Sequence, residues 1–193
     1  MEINIGISNR HVHLTKEHLD ILFGENYELT KRNDLSQLGQ FACEEVVTIK
    51  TQKNEIKKVR ILGPVRNYTQ VEISKTDSFT LGLNPPVRES GDVKDSEAIT
   101  LIGPKGEVTL NEGCIIATRH IHANPDDVKK LNLEGVNYVD VKIPGLKGGI
   151  LHNVSIKVDP SYTLELHLDT DDGNAHLITK DTKAIIVGES NEE

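Results

Sequence analysis

Ile3-Asn4-Ile5-Gly6-Ile7-Ser8-Asn9-Arg10-His11-Val12-His13 and Ile115-Ile116-Ala117-Thr118-Arg119-His120-Ile121-His122 carry one pattern twice, an apolar run followed by Arg-His-x-His. A segment with helical character follows each copy. On a strand, residues i and i+2 share a face, so each motif sets two imidazoles side by side. Four of the eight histidines are used this way. Two such pairs suit a two-metal centre, and imidazole suits zinc as well as iron, nickel and copper. Catalytic zinc commonly keeps three protein donors, often with a carboxylate among them, so further donors must come from elsewhere in the chain. Glu72 in Val71-Glu72-Ile73 and His167 in Leu166-His167-Leu168 qualify, each a polar residue between apolar neighbours on an expected strand. Plain alternation toward solvent explains both equally well.

Around these motifs, short β-branched runs dominate. Among them are Glu45-Thr51, Lys57-Leu62, Thr69-Ser74, Ala98-Ile102, Glu107-Leu110, Cys114-Thr118, Tyr138-Ile143, Val154-Val158 and Tyr162-Leu168. Their length and the turn residues between them predict a mainly β chain of antiparallel barrels or a sandwich. Gly103-Pro104-Lys105-Gly106 reads as a hairpin turn. One helix is expected near 15–24, with Thr15 as N-cap and Gly24 as stop. Another is expected near 125–132, with Asn124 as N-cap and Pro125 at its first position. A third, short helix is expected around Leu35-Leu38. The repeat, together with the echo of Ile61-Leu62-Gly63-Pro64 in Leu101-Ile102-Gly103-Pro104, predicts two related domains. They are placed at 1–90 and 91–193, joined through Leu83 to Ser96, with strands free to swap between the halves.

Composition narrows the function. At 193 residues the chain is long enough for a substantial core. A net charge of −8 argues against nucleic-acid binding, which needs a basic face. No apolar run approaches the roughly 20 residues that span a bilayer, and no signal peptide is visible at Met1-Glu2-Ile3-Asn4-Ile5. Cys43 and Cys114 lack CxxC spacing and read as small buried residues of a reducing compartment. Arg10 and Arg119 read as structural ion-pair partners. Arg66 and Arg88 follow rigid Pro-containing turns and suit bidentate phosphate recognition. His18 and His176 read as ordinary surface or hydrogen-bonded histidines, and Lys147-Gly148-Gly149 suits either a close backbone approach to a phosphate or a flexible turn.

Taken together, the residues closely resemble the PduL-type phosphotransacylases (phosphate propanoyltransferases). The resemblance is carried by Ser8-Asn9-Arg10-His11-Val12-His13-Leu14, Leu38-Gly39-Gln40-Phe41-Ala42, Ile61-Leu62-Gly63-Pro64-Val65-Arg66 and Thr69-Gln70-Val71-Glu72-Ile73-Ser74. It continues through Pro86-Val87-Arg88-Glu89-Ser90-Gly91-Asp92, Ala117-Thr118-Arg119-His120-Ile121-His122 and Leu164-Glu165-Leu166-His167-Leu168-Asp169-Thr170-Asp171. It spans essentially the whole chain. It implies a tandem pair of small β-barrels capped by short α-helices, with the active site between them. Two zinc ions are implied there, one held by His11, His13 and Glu72 and the other by His120, His122 and His167, with Arg66 as the phosphate-contacting residue. The implied reaction moves a short acyl group, propanoyl or acetyl, between coenzyme A and inorganic phosphate by direct attack. The alternative for the same metals is a dizinc thioester or phosphoester hydrolase. The expected partners are acyl-CoA and phosphate, with no nucleic acid or membrane, and a homo-oligomer is left open. Two departures from the family pattern are Asp172-Gly173-Asn174-Ala175 and Cys43. The first strand already begins at Ile3, without the helical extension that targets some members to microcompartments, so a cytoplasmic location is expected.

Overall fold

A computed structural model describes residues 1–190. In chain order its strands and helices are β1 (Glu2–Ser8), β2 (His11–His13), α1 (Lys16–Phe23), β3 (Lys31–Asp34), β4 (Phe41–Lys50) and β5 (Glu55–Gly63). There follow β6 (Gln70–Glu72), α2 (Lys75–Leu81), β7 (Val87–Arg88), β8 (Glu97–Ile102), β9 (Glu107–Ala117) and β10 (His120–Ala123). The remainder comprises α3 (Pro125–Leu131), β11 (Tyr138–Ile143), β12 (Gly149–Val158), β13 (Glu165–Asp169), α4 (Thr170–Ala175) and β14 (Ala184–Glu189). The mainly β expectation is met, in the form of two closed six-stranded barrels.

The first barrel is built from Asn9–Leu35 and Gly39–Ala117. Its strands close in the order β2-β6-β9-β8-β4-β5 and back to β2, with β3 added along β4 and β7 along β9. Its core is a single cluster that includes Val12, Leu19, Leu22, Ile49, Ile61, Val71, Leu101 and Cys114, all at 1% exposure or less. The second barrel takes Met1–Ser8, Ser36–Leu38 and the chain from Thr118 onward. It closes as β1-β13-β10-β12-β11-β14, around Ile121, Val139, Val141, Val154, Leu166 and Ala184. Removing each large aliphatic side chain from water contributes on the order of 1.5–3 kcal/mol.

The two barrels repeat one pairing scheme. In the first, β2 runs parallel to β5 and antiparallel to β6. In the second, β10 runs parallel to β12 and antiparallel to β13. β6 is flanked by parallel β9, as β13 is by parallel β1. Thus the strand just ahead of each Arg-His-x-His motif belongs to the other barrel, and β2 through β9 are inserted between β1 and β10. The chain passes from the first barrel to the second at Ala117/Thr118, not near residue 90. Residues 83–96 are no linker, since β7 pairs in parallel with β9 and Ile116 N–H donates to Pro86 O. Residues 191–193, at the end of the expected second domain, lie outside the described residues.

Local expectations hold at the two histidine-following helices. Thr15 Oγ1 accepts from His18 N at α1, and Asn124 and Asp127 form a capping box at α3. No helix forms at Leu35–Leu38. That segment bends instead, closed by Leu35 N–H to Gln40 O, and sends Ser36 and Gln37 into side-chain hydrogen bonds. Two unforeseen short helices, α2 and α4, follow β6 and β13. The β8–β9 hairpin closes with Gly103 N–H to Gly106 O at 2.9 Å, while Lys105 N–H donates to Leu22 O. A Cβ on Gly103 would lie 2.5 Å from the Leu22 carbonyl oxygen. Gly103→Ala is therefore expected to destabilise the chain by about 1–3 kcal/mol through forced displacement of the α1 terminus, read as a lowered urea midpoint at unchanged slope.

Candidate metal centre

Strand alternation builds both sites. Val12 and Ile121 point into the two cores at 0% exposure, so the flanking histidines project from the opposite face of each barrel. His11, His13 and His122 are nonetheless buried. Register supplies the third donor. Antiparallel pairing sets His11 opposite Glu72 and His120 opposite His167. Potential ligand atoms of His11, His13 and Glu72 lie within 4.8 Å of one another, and so do those of His120, His122 and His167. His11 Nε2 is 3.4 Å from Glu72 Oε2, and His13 Nε2 is 3.8 Å from Glu72 Oε1. In the second group, the His120 and His167 rings stack 5.0 Å apart, and His122 lies 4.4 Å from His167.

Backbone carbonyls orient the first imidazole of each pair. His11 Nδ1 lies 2.8 Å from Asn9 O, and His120 Nδ1 lies 2.8 Å from Thr118 O. A carbonyl only accepts, so the proton sits on Nδ1 and Nε2 presents its lone pair. Burial disfavours a charged His11, yet Glu72 outweighs it and draws the pKa above the ordinary value. Burial, helped by His11 and Arg66, pushes His13 down to about 3, which keeps that ring a neutral base. Both groups therefore present nitrogen donors, buried at His11, His13 and His122, the first group adding a carboxylate, and this donor chemistry fits zinc.

Around the first group, the side chains form a polar mesh. Gln70 Nε2 donates to Glu72 Oε1 at 2.6 Å and to Ser90 Oγ at 3.0 Å, and Ser90 donates to Glu72 at 3.2 Å. Arg66 donates to Tyr68 Oη at 2.9 Å and to Ser90 Oγ at 3.3 Å. Around the second group, Gln37 and Glu165 approach His167, and Tyr162 stacks on His122 at 4.0 Å. Sequence reading missed Tyr68, Gln70, Ser90, Ser36, Gln37, Tyr162 and Glu165. The alternation of Gln70 with Glu72, and of Glu165 with His167, was the available signal.

The other candidates resolve individually. Arg10 grips Asp77 with two contacts of 2.8 and 2.7 Å, and Arg119 grips Asp172 with contacts of 2.9 and 2.7 Å. Both aspartates sit at the third position of the helix after the donor strand. These arginines tie each histidine strand to the neighbouring helix. Arg88 pairs with Asp92 at 3.5 Å. His18 Nδ1 meets Thr69 Oγ1 at 2.7 Å, and His176 Nδ1 meets Lys147 O at 2.9 Å.

A family model described as phosphate propanoyltransferase matches residues 4–179. The chain is 50% identical to a phosphate propanoyltransferase of Lachnoclostridium phytofermentans over 92% of its own length and 83% of that protein's. One from Priestia megaterium is 50% identical over 95% and 85%, and one from Thermotoga maritima 47% identical over 96% and 89%. The chain belongs to the phosphate propanoyltransferase family. It is accordingly a transferase, and the family supports phosphate acyltransferase activity. Among the described residues, no helix is long and apolar enough to cross a membrane.

For such an acyltransferase the state of the thiols matters. Burial raises the Cys43 pKa to about 11 and that of Cys114 to about 12. Both side chains lie in the core of the first barrel. Neither thiol is expected to react with a disulfide reagent at pH 8 in the folded protein, and both should react after denaturation. Colorimetric thiol titration checks this.

Proposed function

We propose that the chain transfers a short acyl group, propanoyl or acetyl, reversibly between coenzyme A and inorganic phosphate, with one zinc ion held by His11, His13 and Glu72 and another by His120, His122 and His167. The observation that carries the reading is the pair of donor triads, with Arg66 beside the first, in a chain of this family. The net change is attack of a phosphate oxygen on the thioester carbonyl carbon, cleavage of the C–S bond, and transfer of the phosphate proton to the departing sulfur. Bound at the triads, zinc supplies Lewis acidity and a soft partner for a thiolate.

The residues' own parts follow from their positions. Arg66, half-buried and held through one nitrogen by Tyr68 and Ser90, can offer its fork to phosphate and offset the repulsion between two anionic substrates. Gln70 and Ser90 fix the Glu72 carboxylate. The raised pKa values of Cys43 and Cys114 support direct attack without an acyl-cysteine.

Arg66→Ala should raise the KM for phosphate by roughly 10- to 100-fold, the loss of one or two charge-assisted hydrogen bonds, with a smaller effect on the KM for acyl-CoA. His120→Ala should lower zinc content and turnover together. Acyl phosphate, rather than free acid, should accumulate in phosphate buffer. Free acid as the product would establish a hydrolase, and full turnover in zinc-depleted protein would remove the metal role.

A further inference from the structure

In each barrel a connection of the same length returns the chain from the strand parallel to the histidine pair to the strand that supplies the third donor. Val12 pairs with Ile61 and with Val71, and Ile121 pairs with Ile156 and with Leu166. Nine residues lie between in both cases, 62–70 and 157–165. Each connection is tied to the carbonyl of the residue just after the pair. Arg66 N–H donates to Leu14 O at 2.8 Å, and Asp159 N–H donates to Ala123 O at 3.1 Å. The first connection carries Arg66, whose charge reaches His11 and His13. The second carries Tyr162, whose ring stacks on His122 with centroids 4.0 Å apart and planes 20° apart.

That contact falls on the one imidazole of the second group whose plane differs from the others. The His120 and His167 rings are 6° from parallel, while His122 is tilted 51° from His120 and 50° from His167. An imidazole donates its lone pair in its own ring plane, so this tilt decides whether the His122 nitrogen points at the position the other two share. Tyr162 lays a flat face nearly parallel to His122 and resists rotation of that ring. Tyr162 is itself held on both sides. Asp159-Pro160-Ser161-Tyr162 has the residues that favour a type I turn, an acidic residue first and proline second. Tyr162 N–H closes it on Asp159 O at 3.0 Å, and Asp159 Oδ1 accepts from Ser161 N–H at 2.8 Å and from Ser161 Oγ at 2.5 Å. Beyond the ring, Gln37 Nε2 donates to Thr163 O and Gln37 Oε1 accepts from Thr163 N–H, each at 3.1 Å. With the backbone fixed before and after it, Tyr162 keeps only its side-chain torsions, and the His122 face restrains those.

We infer that Tyr162 is a positioning residue of the second site: its ring sets the plane of the His122 imidazole, and thereby the affinity for a cation held by His120, His122 and His167. This rests on the reading that these three histidines bind zinc. The two barrels then use one connection for different ends, a charge directed at substrate in the first and a ring that fixes a metal donor in the second.

The test is metal binding by the intact protein, with zinc alone and cobalt alone as probes. Wild type, Tyr162→Phe, Tyr162→Leu, Asp159→Ala and His122→Ala are compared by elemental analysis, chelator competition and visible absorption of the cobalt form. Tyr162→Leu removes the flat face, Tyr162→Phe keeps it, and Asp159→Ala loosens the turn at an exposed residue without altering the ring. In Tyr162→Leu the second ion should be held about 3- to 10-fold more weakly, the worth of one stacked pair, with a shifted cobalt spectrum and an unaffected first ion. Asp159→Ala should move affinity and spectrum in the same direction, and Tyr162→Phe should keep both at wild-type values. Wild-type affinity and spectrum in Tyr162→Leu, or in Asp159→Ala should the former not fold, would overturn the inference. So would a Tyr162→Phe variant as impaired as Tyr162→Leu. Equal zinc content in wild type and His122→Ala would instead overturn the underlying site, whatever Tyr162 does.

Discussion

Everything at the candidate centre depends on antiparallel register between two very short strands. β2 has three residues and meets β6 over three, and β10 meets β13 in the same way. Side chains alternate strictly, so a slip of one residue would turn both imidazoles toward the core and Val12 or Ile121 away from it. Three pairs of backbone contacts are little to hold that register. The reinforcement comes from Arg10 on Asp77 and Arg119 on Asp172, two bidentate pairs that fix the residue just before each histidine to a helix start. Their aspartates also serve the helices directly. Asp77 completes the capping box of α2, and Asp172 N–H is the group that Asp169 caps at α4. Strand register, helix entry and donor placement are one coupled unit, made twice.

This coupling explains why the arginines of the repeated motif stand apart from the chemistry. A guanidinium committed on two nitrogens to an aspartate carboxylate has little left for substrate. Arg66 contrasts with them. It donates through one terminal nitrogen to the hydroxyl groups of Tyr68 and Ser90, and its charge reaches His11 and His13.

Much of this was legible in the sequence, and the limits have physical causes. The paired imidazoles followed from i, i+2 alternation, and the caps of α1 and α3 from Thr15, Gly24, Asn124 and Pro125. Which third donor joins which pair followed from the family resemblance alone, because register between residues 11 and 72 leaves no trace in local spacing. β9 was read as two strands because Asn111, Glu112 and Gly113 interrupt its apolar run, although the backbone continues through them with Gly113 at φ 145°. α2 and α4 escaped because helices of seven and six residues show too little periodicity. Ser36 and Gln37 looked like helix residues because Leu35 and Leu38 flank them. Their polar side chains instead satisfy partners more than 120 residues away, which no local pattern encodes.

The insertion of the first barrel between β1 and β10 has a consequence for the order in which the chain is made. All six strands of the first barrel lie within residues 11–117, so it can close while the rest is still being synthesised. β1 precedes the whole of the first barrel in the chain and must wait for β13 and β14, which follow it. Throughout translation the amino-terminal strand stays an open edge of alternating isoleucines, shielded only by its neighbours Glu2, Asn4 and Ser8. The second barrel therefore closes only after β13 and β14, which follow the whole of the first barrel, have been made.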